Sequence, residues 1–262
     1  MMKNIFRQHW KLYLMEAFGL AIFMISACFF GGILESKTSI IHEMLPSAFL
    51  RNVLMGLMMG LTAAFIFYSP WTSPSGSHIN PAVTISFLRT GNINKYDAFF
   101  YSIFQFIGGI TAVYMMQFLM GRTLTAQPVN SVATVPGKAG LIPALLTEYI
   151  IAFAMMTMVM FTSSNKHRKK YTRVIAACMV CLYVIIAGPI SGFGMNPARS
   201  FASALPAHTW TAFWLYLIIP VAGMLSATEL FLRISKSKKD IPVEKNKNIT
   251  KKKISEAFEF VL

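Results

Sequence analysis

Six long apolar segments constrain the fold of this chain more than any other feature of its sequence. Each is long enough to cross about 30 Å of hydrocarbon as a helix of about 20 residues. A spanning segment must pair its own backbone N–H and C=O groups in lipid, and segments of this length do so as helices. The predicted spans are residues 11–33, 49–69, 97–119, 141–162, 172–189 and 209–232.

The composition agrees with an integral membrane protein and argues against other classes. Apolar residues form 55% of the 262 residues and charged residues 13%, about half the charged fraction of ordinary soluble domains. Three cysteines are too few for a disulfide scaffold, and no metal-ligand cluster, phosphate loop or nucleophile–base pairing is visible in the sequence. We therefore expect neither an enzyme nor a protein that needs a cofactor or a metal.

The distribution of Lys and Arg predicts the side of the membrane that each loop occupies, because these residues are enriched in cytoplasmic loops. With both termini inside, nineteen of the 24 basic residues lie inside, four lie outside and Arg199 is left over. Residues 1–10 are then a short cytoplasmic N-terminus, and residues 233–262 are a basic cytoplasmic tail with no nucleic-acid partner. Glu16 and the lack of a small-x-small cleavage site favour a retained first span over a signal peptide.

Two connections between spans carry the same tripeptide and do not read as ordinary loops. Asn is a favoured N-cap, and Pro suits the first helical position, so each copy predicts the start of a short helix. Residues 80–89 and 196–204 are too short to span, and we interpret them as half-helices that enter the membrane from opposite faces. The copies are Asn80, Pro81 and Ala82, and Asn196, Pro197 and Ala198.

Glu16 and Glu148 extend this internal repetition, since each is the only acidic residue of an apolar segment, in spans one and four. Three spans separate the copies, and an odd number inverts the topology of the second. We predict a channel domain over residues 11–232, built from inverted repeats at about 11–119 and 141–232. Inverted repeats with broken helices are typical of transport proteins whose path follows the repeat interface.

The segments His78–Thr84 and Gly194–Ser200 together resemble the signature of the major intrinsic protein family, the aquaporins and glycerol facilitators. The resemblance covers about residues 10–232 and extends to the acidic residue of spans one and four. Short loops and one compact repeat pair are typical of a bacterial member, which places the chain in an inner membrane. The other similar positions are the Gln105–Gly109 segment, Trp214, Pro220 and Gly223.

The resemblance implies an all-α fold of six transmembrane helices and two re-entrant half-helices that meet at the midplane. Such proteins are usually homotetramers with one pore in each subunit. The half-helices would direct their positive N-termini at the pore centre and repel cations and protons. The amides of Asn80 and Asn196 would donate hydrogen bonds to a passing water or hydroxyl oxygen.

The family's outer selectivity filter maps onto a small set of residues here. Arg199 is expected to line the constriction, although a helix-end Arg can also extend to the membrane interface. The other positions are Val184, Phe193 and either Met59 or Gly60. Counting back from Asn80 without a gap gives Gly60, whereas matching the surrounding sequence with a one-residue insertion gives Met59. Val in place of the usual His argues against a strict water filter, and Phe193 resembles the aromatic wall of glycerol facilitators.

Other sequence markers are divided between the two branches of the family, the water channels and the glycerol facilitators. Ser200 and Ala204 resemble water channels, whereas Leu217 resembles a facilitator. We predict a passive channel for water and small uncharged solutes such as glycerol. The alternatives are a metalloid or other small-solute pore of the same family and, with less support, an ion-coupled secondary transporter.

The buried carboxylates and one histidine each allow two interpretations. Glu16 and Glu148 would either carry protons or accept hydrogen bonds from the re-entrant loops, and the second role is favoured. His78 would either act as a pH switch or form a packing hydrogen bond in its loop, with the packing role favoured.

Overall fold

The structure is a computed structural model that describes residues 2–237, and it is built from helices joined by turns and loops. Six helices are long and apolar enough to cross a membrane, and the predicted all-α membrane fold is confirmed. The helices are α1 (Met2–Glu35), α2 (Ile40–Met44), α3 (Ala48–Tyr68), α4 (Pro81–Thr90), α5 (Lys95–Met120), α6 (Arg122–Thr125), α7 (Leu141–Ser163), α8 (Thr172–Ser191), α9 (Pro197–Ala207) and α10 (Phe213–Ser237).

The two ends of the channel domain differ from the predicted boundaries. Helix α1 begins at Met2, so the residues predicted as a separate N-terminus are the first turns of the first span. Phe6 packs edge-on against Phe100 of α5 with ring centres 5.0 Å apart, which holds this extension on the bundle. Helix α10 begins four residues later than predicted and continues to Ser237. The remainder of the predicted tail, residues 238–262, lies outside the described residues.

The half-helices begin where the tripeptides predict. The side chain of Asn80 accepts a hydrogen bond from the backbone N–H of Ala82 at 2.9 Å. The side chain of Asn196 accepts from Ala198 N at 3.0 Å and from Arg199 N at 3.2 Å. Both Asn residues are therefore N-caps, and the proline that follows each takes the position where no donor is needed.

The eight longest elements pack in two halves with the same arrangement. Helix α1 lies along α5 in the first half, and α7 lies along α10 in the second. Each half-helix packs against the last span of the other half, α4 against α10 and α9 against α5. Contact between α3 and α8 joins the halves on the remaining side. This exchange places the starts of α4 and α9 together inside the bundle.

Two glycines at equivalent places allow the closest helix pairs to form. A Cβ at Gly108 of α5 would lie 2.1 Å from the carbonyl oxygen of Ala17 in α1. A Cβ at Gly223 of α10 would lie 2.7 Å from the carbonyl oxygen of Tyr149 in α7. Both distances are far below van der Waals contact, so each helix pair requires glycine at its crossing point.

The connection between the two halves, residues 121–140, folds onto the bundle instead of forming an open loop. It contains α6 and a single 3-10 turn at Asn130–Val132, with Leu124 and Ser131 fully enclosed. The backbone N–H of Gly137 donates to the carbonyl of Ile190 at the end of α8, at 2.9 Å. This contact brings the segment to the mouth of the bundle beside α9.

Candidate functional site

The two N-cap asparagines are linked across the centre of the bundle. Asn80 Nδ2 donates to the carbonyl oxygen of Met195 at 2.9 Å, and Asn196 Nδ2 donates to the carbonyl oxygen of Ile79 at 2.7 Å. An amide group has two N–H donors, so each side chain keeps a second donor after this bond. Both residues line the same cavity, where that donor can meet a solute.

Glu16 holds the first re-entrant loop by accepting hydrogen bonds from it. Its carboxylate accepts from the backbone N–H of His78 at 2.9 Å and of Ile79 at 2.6 Å. The Ser75 hydroxyl donates to it at 2.6 Å, and Gln105 Nε2 of α5 donates at 2.7 Å. Four donors therefore surround a carboxylate that is fully buried.

Glu148 repeats this arrangement in the second half. It accepts from the backbone N–H groups of Gly194 at 2.8 Å and Met195 at 2.5 Å, and from the Ser191 hydroxyl at 2.6 Å. Both carboxylates contact the residues immediately before the N-cap asparagines. This is the geometry that a bracing role requires, and neither carboxylate is exposed to water.

The backbone of both loops is strained in the same way. Ile79 and Met195, which directly precede the asparagines, have φ values of 43° and 49°. Non-glycine residues rarely occupy this left-handed region, and a β-branched residue such as Ile is especially disfavoured there. The conformation turns consecutive N–H groups toward one carboxylate, so the hydrogen bonds to Glu16 and Glu148 offset the strain.

His78 lies in the first loop among close neighbours. Its Nδ1 is 3.1 Å from the Thr84 hydroxyl, and its ring stacks on Phe87 with centres 4.7 Å apart. The side chain is buried but borders the cavity that contains the asparagines. The contacts are those of a packed residue that orients its loop.

Two cavities lie inside the bundle and adjoin one another, because they share part of their lining. The first has a volume of about 430 Å³ and extends from the asparagines to a basic rim at Lys170 and Arg173. The second, of about 350 Å³, extends to Glu35 and Asn52 at the other end. Three residues line both cavities and mark the constriction between them, and these are Phe23, Phe193 and Arg199.

The structure brings most of the residues predicted for the filter to this constriction. Met59 and Val184 line the second cavity together with Phe193 and Arg199. Gly60 does not line either cavity; it lies in the contact between α3 and α8, where a Cβ would be 2.7 Å from Cys181 Cβ. Of the two alternatives, Met59 borders the second cavity and Gly60 faces α8.

Phe23 was missed by the sequence analysis because it lies in the first span, far from both tripeptides. No local motif marks it. Its position follows only from the packing of α1 against α5 and α3, which places the ring on the boundary between the two cavities.

Arg199 is held from the folded connection between the halves. Its Nη1 donates to the carbonyl oxygen of Val132 at 3.2 Å and to the hydroxyl of Thr134. Within the described part of the chain its buried Nε has no hydrogen-bond partner. The guanidinium is thus fixed in orientation by two acceptors of the connection, beside both cavities. No sequence signal marks Thr134, because its contact with Arg199 joins residues 65 positions apart.

The site provides hydrogen-bond donors along an otherwise apolar path. The donors are the amides of Asn80 and Asn196 and the guanidinium of Arg199, and the walls include Phe23, Phe193 and Val184. Across residues 2–237 no group of three or more His, Cys, Asp or Glu side chains is placed to hold a metal. The arrangement can exchange hydrogen bonds with a neutral solute.

Comparisons with known proteins agree with this geometry. A model of the major intrinsic protein family matches residues 4–231. Aquaporin NIP2-3 of Zea mays is 30% identical over 161 residues, which are 61% of this chain and 52% of the relative. Aquaporin TIP2-1 of Arabidopsis thaliana is 34% identical over 165 residues, 62% of this chain and 64% of the relative. The matches thus cover about half to two thirds of these relatives.

A solved structure shares the fold at low sequence identity. The aquaglyceroporin from Plasmodium falciparum superposes with a TM-score of 0.74 and 17% identity, over 89% of this chain and all of the other. The agreement in fold, together with the family match over nearly the whole chain, is decisive. The chain belongs to the major intrinsic protein family and is an integral multi-pass membrane protein.

Proposed function

We propose that this chain forms a passive channel for water and small uncharged solutes such as glycerol, and that it excludes ions and protons. The observation that carries the proposal is the reciprocal hydrogen bonding of Asn80 and Asn196 between two cavities that meet. This pairing sets the starts of two half-helices against each other along one path. The family consists of channel proteins rather than enzymes.

Electrostatics supports the exclusion of cations. The N-terminus of each half-helix is equivalent to about half a positive charge, and both ends are directed at the same region. Arg199 adds a full positive charge at the constriction, with no acidic side chain bonded to it in residues 2–237. A cation would lose its hydration there and face the positive helix N-termini and the Arg199 guanidinium.

A neutral solute meets different conditions on the same path. The free amide donors of Asn80 and Asn196 replace hydrogen bonds that a hydroxyl or water oxygen loses on leaving bulk water. At the constriction we assign Arg199 as the donor to the solute and Phe193 as the wall for its carbon backbone. Val184 and Met59 set the remaining width, and Pro81, Ala82, Pro197 and Ala198 form the starts of the half-helices.

The buried carboxylates are assigned a structural role in this channel. Glu16 and Glu148 brace the re-entrant loops, and His78 packs within the first of them. A proton carrier must reach water during its cycle, whereas both carboxylates are enclosed and fully engaged by loop donors. The proposal accordingly includes no energy coupling.

We further propose the setting in which the channel works. The excess of Lys and Arg places both termini and the basic rim at Lys170 and Arg173 on the cytoplasmic side. The membrane is the bacterial inner membrane, and four copies assemble with one pore each. Exposed apolar side chains on the spans, among them Leu61, Phe118 and Ile142, provide surface for lipid and neighbouring copies.

The experiment that tests the function is stopped-flow light scattering of proteoliposomes. Osmotic shrinkage reports water permeability, and re-swelling in glycerol reports solute permeability. We expect both to exceed those of empty liposomes. The Val184→His variant should lose glycerol re-swelling and keep water flux, while Val184→Leu controls for bulk without a polar ring. If neither solute passes, or if a proton gradient drives uptake above equilibrium, the proposal is wrong.

A further inference from the structure

Helix α8 lacks one of its backbone hydrogen bonds close to the filter. Pro189 lies inside this helix and has no N–H, so it cannot donate to the carbonyl of Ile185 four residues earlier. Val184, which lines the second cavity, is next to Ile185. The orientation of this turn therefore depends on another donor.

Asn52 of α3 supplies that donor. Its Nδ2 donates to the Ile185 carbonyl oxygen at 2.7 Å, across 133 positions of sequence. The contact is supported by tight packing just below it, where a Cβ at Gly56 would lie 2.5 Å from Ile185 Cγ1 and 2.8 Å from the Cys181 carbonyl. The two helices cannot separate or slide without loss of this bond.

The same bond fixes the other half of the Asn52 amide. With Nδ2 committed to Ile185, Oδ1 lies on the side of Gly188, 3.6 Å from where a Cβ of that glycine would be. Asn52 and Gly188 both line the second cavity. Within residues 2–237 no donor is bonded to Asn52 Oδ1. An acceptor is thus presented in the cavity whose constriction carries the Arg199 donor.

We propose that Asn52 is a specificity-determining residue of this channel, selecting hydroxyl-bearing solutes through Oδ1 while its Nδ2 holds the turn of α8 that carries Val184. The inference rests on the proposed function and names a solute class for it. A polyol hydroxyl can donate to Asn52 Oδ1 in the same cavity that Arg199 lines, where the acceptor complements the hydrogen-bond donors of the path.

Glycerol depends on this acceptor more than water does. A polyol loses several hydrogen bonds together when it enters an apolar passage, and its carbon backbone blocks access to neighbouring waters. A water molecule can replace a missing partner with the next water in file. Removal of one acceptor is therefore expected to lower glycerol permeability more than water permeability.

The test compares four proteins in proteoliposomes: wild type, Asn52→Leu, Pro189→Ala and the double variant. Leu has nearly the shape of Asn without its polar atoms, and Ala at position 189 restores the N–H that Ile185 lacks. We expect Asn52→Leu to lower the ratio of glycerol to water permeability about five-fold, the effect of one lost hydrogen bond. The double variant should regain water flux relative to Asn52→Leu and keep the low ratio.

The outcomes separate the two halves of the inference. An unchanged ratio in Asn52→Leu, or a ratio fully restored in the double variant, would overturn the role of Oδ1 in selection. The thermal unfolding midpoint of the same four proteins tests the bond to Ile185 without any flux. We expect Asn52→Leu to lower the midpoint in the wild-type background, and to lower it less in the Pro189→Ala background. Equal losses of midpoint in the two backgrounds would overturn the positioning role. A wild type that conducts neither solute would refute both the proposed function and the solute selection by Asn52. The unfolding midpoints would still test the hydrogen bond between Asn52 and Ile185.

Discussion

Asn80 and Asn196 each donate a hydrogen bond to the backbone carbonyl that precedes the other, at 2.9 and 2.7 Å. Each side chain also caps its own half-helix, so a single residue links the start of one half-helix to the loop of the other. The two halves of the chain therefore fix each other at the centre of the bundle. Neither half can place its asparagine correctly without the second.

The caps are unequal, and this asymmetry predicts different losses of stability. Asn196 accepts two backbone N–H bonds and Asn80 accepts one. Loss of each cap hydrogen bond costs about 1 kcal/mol, and loss of the cross-link costs about 1 kcal/mol more. We expect Asn80→Ala to lower the free energy of unfolding by about 2 kcal/mol and Asn196→Ala by about 3 kcal/mol.

The measurement is denaturant-induced unfolding in mixed micelles. Asn4→Ala, at an exposed position of α1, serves as the control and should leave stability unchanged. Equal losses for the two pore variants would mean that the second cap bond of Asn196 contributes nothing.

The buried carboxylates predict a second, larger effect. Glu16→Gln keeps the size of the side chain but turns an N–H₂ group toward donors that need an acceptor, among them Ile79 N at 2.6 Å. Breaking a buried charged network of this kind costs about 3 kcal/mol. We expect a lower thermal midpoint for Glu16→Gln and Glu148→Gln, and no change for the exposed Glu43→Gln. Folded protein recovered from either buried variant should still conduct passively. The bracing role would be contradicted if a variant kept its full stability but lost a proton-driven uptake that the wild type shows.

Much of the fold could be predicted because its signals are local. The spans follow from runs of apolar residues, and the half-helices follow from an N-cap Asn with Pro at the next position. Glu16 and Glu148 stand out because an isolated carboxylate in a span must have a partner. These features depend on a few neighbouring residues, and the structure places them close to the predicted boundaries.

The parts that could not be predicted depend on contacts between distant segments. The bond from Arg199 to Thr134 requires the connection at 121–140 to fold back, and polar loop residues give no sign of that. The choice between Met59 and Gly60 depends on the rotation of α3, which is set by glycine packing against α8. The helical start at Met2 follows from aromatic contacts with α5 and not from hydropathy.

The contact between Thr134 and Arg199 predicts a change in flux. Thr134→Val keeps the shape of the side chain but removes the hydroxyl that accepts from Arg199 Nη1. The guanidinium would then keep only the Val132 carbonyl as an acceptor and move within the constriction. We expect water permeability to fall about three-fold, less than the full worth of a charge-assisted hydrogen bond, because the Val132 carbonyl still restrains the guanidinium; stopped-flow shrinkage measures this.

The matched control is Thr125→Val, which lies in the same connection at an exposed position. It should leave water permeability unchanged. If both variants behave alike, the effect comes from the connection as a whole, and the orientation of Arg199 by Thr134 is not what limits flux.

The paired glycines predict a graded loss of stability. In Gly108→Ala the new methyl would meet the carbonyl oxygen of Ala17 at 2.1 Å, and backbone cannot move aside as a flexible side chain can. In Gly223→Ala the corresponding distance to the Tyr149 carbonyl oxygen is 2.7 Å. Overpacking costs about 1 to 3 kcal/mol, so we expect the larger loss for Gly108→Ala and a smaller one for Gly223→Ala, measured as the free energy of unfolding.

Gly188→Ala is the control for helix propensity in this comparison. Its new methyl would lie 3.6 Å from its nearest neighbour atom, Asn52 Oδ1, which is ordinary van der Waals contact. Ala is favoured over Gly within a helix by about 1 kcal/mol, so this variant should be as stable as wild type or slightly more stable. A loss for Gly188→Ala as large as that for Gly108→Ala would mean that the helix crossings are not what requires glycine. The ordering of the three variants therefore tests whether each half is held together at an equivalent helix crossing.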